Sequence, residues 1–486
     1  MAATPDPRRW WVLAVLSAPV LVVTLDNTVL SVAVPTLARD LELSAAGVQW
    51  VVEAYSLVFA GLLVTVGVLT DRFGRRRGLV AGLAVFGLGS LAGSFASSGG
   101  ELVAARALMG VGGAFLMPGT LSLLVHTFDE DERRTAIGVW GAVSAVGIAA
   151  GPLIGGVLVQ HFWWGAVFLV NVPVVAVATV AALLLVHESR DADAPLPDVP
   201  GAALSTVGIV GLVYAVIEAP NRGWLSAQVV LSATSGAVAL AGFVAWIHRS
   251  AHPMIDPALL RNRRLGGAAT VATLLSFGLA GSTFLVGQYL QFVLGYDALG
   301  AGLRTIPIAL AVMLTAPVSG AAARRLGDSV TVAIGLAVAA AGFGVAGALA
   351  ASESYSVVLV GLLLLGAGAG LAMGPASNAL MAAVPQDRAG AGSAVNDTAQ
   401  ELGGALGVAV LGSVLAAGFR SGLPAGTPEA LLESPADALR VAAAGAGSQF
   451  AAVIRQALDT GIGHGLLTGA AAILLAALAS PRLLSR

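Results

Sequence analysis

Cysteine is absent from all 486 residues. That excludes a disulfide framework, a thiolate zinc site and a cysteine nucleophile. Lysine is absent too: all 25 basic residues are Arg. The chain therefore carries no Gly-x4-Gly-Lys-[Ser/Thr] loop, which argues against an ATP-driven pump. Charge is scarce as well. Charged residues make up 11% of the chain, about half the share of a soluble domain. A soluble chain of this length needs a charged skin over two or three domains. This one cannot supply it, so a soluble enzyme and a disordered scaffold are both excluded. The net charge of −2 gives no basic signal for nucleic acid. What is present is apolar: 57% hydrophobic residues with 62 Gly and a mean hydropathy of +0.88. Few aromatics and many small residues suit closely packed membrane helices.

A bilayer core of about 30 Å needs about 20 apolar residues per helix. Fourteen segments qualify: 10–37, 48–70, 78–98, 101–126, 136–159, 163–186, 200–219, 226–248, 266–294, 299–321, 329–351, 355–379, 393–418 and 460–481. The runs are continuous rather than alternating, so a β-barrel is excluded. Arg8 and Arg9 before an apolar run imitate a signal peptide. The run is too long for one, contains Asp26 and lacks a clear cleavage site, so it reads as a retained first helix. With the N-terminus inside, eighteen Arg fall in inner segments. Five (Arg39, Arg222, Arg420, Arg440 and Arg455) fall outside, and Arg106 and Arg304 lie in or at the edge of helices. This bias places both termini in the cytoplasm.

The loop after the second segment reads Gly67-Val-Leu-Thr-Asp71-Arg72-Phe-Gly74-Arg75-Arg76-Arg77. The loop after the tenth reads Gly320-Ala-Ala-Ala-Arg324-Arg325-Leu-Gly327. The shared spacing of Gly, charge, Arg and Gly marks an internal repeat, a habit of transporters. It predicts a six-helix bundle over 1–186, a second over 266–486, and between them a linker at 187–265 with inserted helices 7 and 8. The outer loop 419–459, whose stretches 428–443 and 447–458 look weakly helical and amphipathic, reads as a solvated spacer or as a lid over an outer vestibule.

These residues resemble the major facilitator superfamily, and more narrowly its fourteen-helix drug:proton antiporter family. Gly67–Arg77 is similar to the superfamily's cytoplasmic signature, with Gly67, Asp71, Arg72, Gly74, Arg75 and Arg76 as gating residues. Leu25 to Pro35 (Leu-Asp-Asn-Thr-Val-Leu-Ser-Val-Ala-Val-Pro) resembles the family's first-helix motif. Arg106 before Gly110 resembles the fourth-helix motif. Gly147-x3-Gly151-Pro152-x2-Gly155-Gly156 resembles the antiporter motif. Phe168-Leu-Val-Asn171-Val-Pro and Tyr289-Leu-Gln291 add weaker pieces. The resemblance implies an all-α integral membrane protein of fourteen transmembrane helices: two six-helix bundles plus an inserted pair. It implies a bacterial cell membrane location and proton-coupled efflux of lipophilic, cationic drugs by alternating access. No enzyme activity, metal or cofactor is implied, since the proton gradient is the drive. The implied partners are a small hydrophobic substrate, protons and the lipid bilayer, with no nucleic acid and a monomeric state. A dedicated exporter of a natural-product antibiotic, lipid or siderophore is the alternative. A non-transporting membrane receptor or structural protein is the distant one.

Ionisable groups at membrane depth are functional candidates by default. Asp26 lies about 24 Å along helix 1. Glu53 enters helix 2 from the outer side and shares a face with Trp50 and Leu57. Asp26 and Glu53 are expected to approach each other. An acid at the Glu53 position resembles the branch that exports organic cations. Asp397 and Glu401, four residues apart, share one face of helix 13. Counted from Arg388, they lie about 14 Å and about 20 Å deep. Arg106 has no acid one turn away and needs a partner from another helix, for which Asp26 is the candidate. Asp26, Glu53, Asp397, Glu401 and Arg106 are thus the residues for proton coupling and substrate. Trp50, Tyr55, Asn27, Tyr289 and Gln291 are cavity candidates. Helix 10 carries no acid over Thr305–Val318, which weakens any reading as a divalent-cation exporter. Gly147, Gly151, Gly155 and Gly156 with the kink at Pro152 should form a smooth bent face on which another helix rocks. Asp71 is expected to pair with a basic group or helix N-terminus of the other bundle.

Overall fold

A computed structural model describes residues 9–128, 130–190, 197–250, 253, 257, 261–348, 354–384, 389–443 and 448–484. Arg8, Arg388 and parts of the linker and outer loop lie outside the described residues. Among the described residues, fourteen helices are long and apolar enough to cross a membrane, the number read from hydropathy. They are α1 (Arg9–Asp40), α2 (Ala45–Phe73), α3 (Arg75–Ser94), α4 (Gly99–Thr127), α5 (Glu130–His161), α6 (Asn171–Leu185) and α7 (Val199–Arg222). There follow α8 (Ala227–Ile247), α9 (Arg263–Gln288), α10 (Ala298–Leu326), α11 (Asp328–Ala348), α12 (Tyr355–Ala382), α13 (Ala389–Gly422) and α14 (Ser448–Leu484). Among the described residues there is no strand. An even number of spans brings both chain ends to one side, the termini face; the other side is the far face.

Helix starts obey local chemistry. Ser44, Ser98, Asp198, Ser226 and Asp297 each accept a backbone N–H of the first turn, satisfying a donor that the helix leaves open. The two repeat loops end alike. Gly74 (φ 124°) and Gly327 (φ 83°) both occupy positive φ, where a side chain is strained. Each donates its N–H one turn back, to Thr70 and Ala323 at 3.0 and 2.9 Å.

By their contacts, α1–α6 form one set and α9–α14 another. Two seams join the sets, α2 against α13 and α5 against α10. Helices α7 and α8 pack on each other, and α7 lies against both α2 and α13. Val177, Leu184, Leu231, Val238 and Leu314 are exposed on α6, α8 and α10, as helices facing lipid require.

The largest boundary difference is at the last helix. The weakly helical stretch read before residue 460 is continuous with the span, so that α14 begins at Ser448. Its Ile454, Ala457 and Leu458 bury against Phe419 and Leu423 at the end of α13, so packing extends the helix beyond its apolar run. The preceding stretch forms two short helices, Glu429–Glu433 and Pro435–Ala443.

Candidate transport site

Asp26 on α1 and Arg106 on α4 are 2% and 1% exposed and form a hydrogen-bonded ion pair. Arg106 also donates from Nε to the Val51 carbonyl at 3.1 Å, and its guanidinium lies 4.7 Å from the centre of the Tyr55 ring. Asn171 on α6 donates to Asp26 Oδ1 at 3.0 Å and to Ser90 Oγ on α3 at 3.3 Å. Five helices thus meet at one compensated charge pair. Compensation is required, because a lone charge at this depth is costly. The partner expected for Arg106 is the one found.

Glu53 is different. Two residues along a helix turn its face by about 200°. Val51 and Tyr55 therefore face Arg106, while Glu53 points toward the α13 side. It is buried, and its Oε2 has no hydrogen-bond partner among the described residues. Leu57, one turn on, packs with Ala405 and Ala409 of α13, and Glu401 lies one turn before Ala405. Asp26 turns into the first set, and Glu53 looks across the seam. Asp397 and Glu401 are half-buried on α13. Asn396 donates to Asp397 at 3.2 Å and accepts from Ser377 of α12 at 3.4 Å.

The cavity candidates divide. Asn27 is exposed, one turn from Ser31, whose carbonyl lies beside Gly287 of α9. Gln291 donates to the Val32 carbonyl at 3.0 Å, linking the sets. Tyr289 is buried in a π-helical turn, Tyr289–Val293. Tyr55 is enclosed in the first set, against Phe59 and Phe86. Trp50 turns to the inserted pair. Its indole donates to Glu218 of α7 at 3.4 Å and its ring lies 5.7 Å from Tyr214.

In the antiporter motif, Gly147, Gly151 and Gly155 lie against Thr24, Thr28 and Val29 of α1. Thr28 donates to the Gly147 carbonyl at 3.3 Å. Pro152 and Gly156 face the other set, against Gly302 and Leu299 of α10. The motif therefore serves both sides of α5. Gln160 to Asp297 at 3.0 Å and Gln49 against Gly412 add contacts between the sets. These, like Gln291 to Val32, fall toward the far face.

At the termini face Asp71 pairs with Arg75, four residues on, at 2.6 Å. The Arg76 amide donates to Glu188 at 3.0 Å, and the Arg75 amide to the Ser189 carbonyl at 2.9 Å. Arg77 lies 3.7 Å from Glu188. The motif thus grips the segment that leaves α6, a partner not expected from sequence. Arg72 sits in the last turn of α2 and Gly67 lies against Pro118 of α4.

The profile of the Major Facilitator Superfamily matches residues 18–408. The chain belongs to this superfamily. The superfamily member is 40% identical to the multidrug efflux pump LfrA of Mycolicibacterium smegmatis, over 98% of this chain and 96% of the relative. It is 38% identical to the puromycin resistance protein pur8 of Streptomyces alboniger, over 84% and 82% of the two chains. The crystal structure of the POT family transporter PepTSo has the same fold, with a TM-score of 0.70 at 16% identity, covering 99% of this chain and 98% of that one. This major facilitator protein is a multi-pass membrane transporter rather than an enzyme.

Sequence reasoning named Asn171 only within a weak motif, and missed Ser90, Gln49 and Glu218, as parts of this transporter's polar framework. The signal for Asn171 was present: it is a lone amide in an apolar run, where an unpartnered polar group is expensive. Nothing local marked which helix it would meet.

Proposed function

We propose that the protein exports lipophilic cationic drugs in exchange for protons, by alternating access between the set 1–186 and the set 266–486. The observation that carries this reading is the pairing pattern of the four acids. Asp26 is neutralised by Arg106 within one set. Glu53 on α2 and Glu401 on α13 stand on the two helices of a seam that must open and close, and Glu53 Oε2 has no hydrogen-bond partner among the described residues. Acids placed there bind a cation or a proton, one at a time. With the far ends packed, a cation reaches Glu401 and Asp397 from the termini face, taken here as the cytoplasm. Rocking of the sets opens the far side, where a proton replaces the cation. The proton gradient is the drive, no cofactor takes part, and a monomer in the bilayer is the working unit. A membrane potential of about 100 mV supplies about 2.3 kcal/mol per charge, or about a 50-fold gradient. The efflux and resistance names of LfrA and pur8 support the direction of transport. The name of pur8 also favours a second reading, a dedicated exporter of one natural-product antibiotic.

The test is proton release on adding substrate to the purified protein, with a panel of organic cations and neutral hydrophobic compounds. Several cations should release protons from wild type, and Glu401→Gln should abolish the release. Silence across the panel from folded protein would sink multidrug antiport and favour the single natural product.

A further inference from the structure

Where α2 meets α13 near the far face, the sets enclose a cavity of about 20 Å³, room for a single water. Val34 and Val48 wall it from one set, Phe284 and Leu415 from the other, and Ala436 of the short helix also lines it. Among the described residues, no charged side chain lines it. Two amides do, Gln49 from α2 and Gln288 from α9, one from each set. Gln49 is 2% exposed, and its Oε1 has no hydrogen-bond partner among the described residues. The other end of the amide rests on bare backbone: a Cβ at Gly412 would stand 2.5 Å from Gln49 Nε2. A buried acceptor left without a donor carries a desolvation penalty. Packing alone gives no reason for it, since Met would fill the same volume.

We propose that Gln49 is a specificity residue on the exit side, whose amide oxygen accepts an N–H of the exported molecule as the far side opens. The apolar walls take the hydrocarbon part. Lipophilic amines and amides are therefore favoured at this station over quaternary ammonium ions, which have no N–H. The acids near the middle of the seam select charge; Gln49 selects the hydrogen-bond donor. This rests on the efflux reading above.

Decylammonium and decyltrimethylammonium carry the same chain and the same charge, and only the first has N–H donors. Each is measured on wild type and Gln49→Met, by KM for efflux in proteoliposomes and by Kd in detergent from intrinsic tryptophan fluorescence. Gln49→Met should weaken decylammonium about tenfold and leave decyltrimethylammonium within about twofold. Unchanged handling of the quaternary ion shows that the variant is folded. Gly412→Ala, whose new Cβ displaces the amide, should reproduce the same split and carries the test alone where Gln49→Met does not fold. An equal effect on both cations, or none on either, overturns the assignment. If wild type binds both cations and transports neither, the efflux reading fails. The split in Kd then still decides the role of Gln49.

Discussion

Replacing Asp26 with Asn keeps the shape of the side chain and removes its charge. Arg106, 1% exposed, would then have neutral partners alone: the new amide oxygen, the Val51 carbonyl and the face of Tyr55. Breaking a buried pair by removing one partner costs about 3–5 kcal/mol, because the other charge is stranded. Arg106→Gln strands Asp26 in the same way, leaving it the Asn171 amide. Removing both charges strands neither. The double variant should therefore be far more stable than the two single losses predict, with a coupling energy of about 2–3 kcal/mol. The assay is unfolding of the purified protein by SDS in mixed micelles, followed by circular dichroism, for wild type, both singles and the double. Asn171→Leu is the scale: it removes hydrogen bonds and no charge, and should cost about 1–3 kcal/mol. If the single losses add to within about 0.5 kcal/mol, the two charges are hydrated independently and the buried-pair account is wrong.

Gly74→Ala should destabilise by about 1–3 kcal/mol, since φ is 124° in a region that strains other residues. A Cβ there would also lie 2.8 Å from Glu188 Oε1, so an equal loss in Gly74→Ala/Glu188→Ala assigns the cost to the backbone. Gly156→Val would place a branched side chain against Leu299, whose Cα would be 2.6 Å from the first added carbon. Far-face closure should fail, with efflux reduced at least about tenfold and substrate binding kept in detergent; normal efflux would make that contact incidental. Arg9 holds the Glu132 carboxyl below the usual carboxylate range. Its folded value is depressed, so this clasp of α1 to α5 stabilises above the unfolded value of about 4.3 and is lost as pH falls through the folded one. Glu132→Gln should flatten that acid limb in thermal unfolding scanned from neutral to acid pH, and an unchanged limb refutes the assignment.

The number of spans, the paired loops around Gly74 and Gly327 and the glycine face of α5 were legible in the chain itself. Each rests on neighbours a few residues apart, and hydropathy runs and helical spacing are local properties. Partners were not local. Asp26 reaches Arg106 over 80 residues and Asn171 over 145, and a burial pattern cannot say which of many apolar helices will lie alongside. That choice fell to tertiary packing, which turned Asp26 inward to a base and Glu53 across the seam toward α13. Packing also set α7 against both α2 and α13, and drew the amphipathic stretch before residue 460 into α14. The chain by itself determined that charges lie within the membrane, because composition and length leave them nowhere else. Only the tertiary structure decided which of them are compensated and which stand at a seam between the two helix sets, because compensation depends on groups brought together from distant helices.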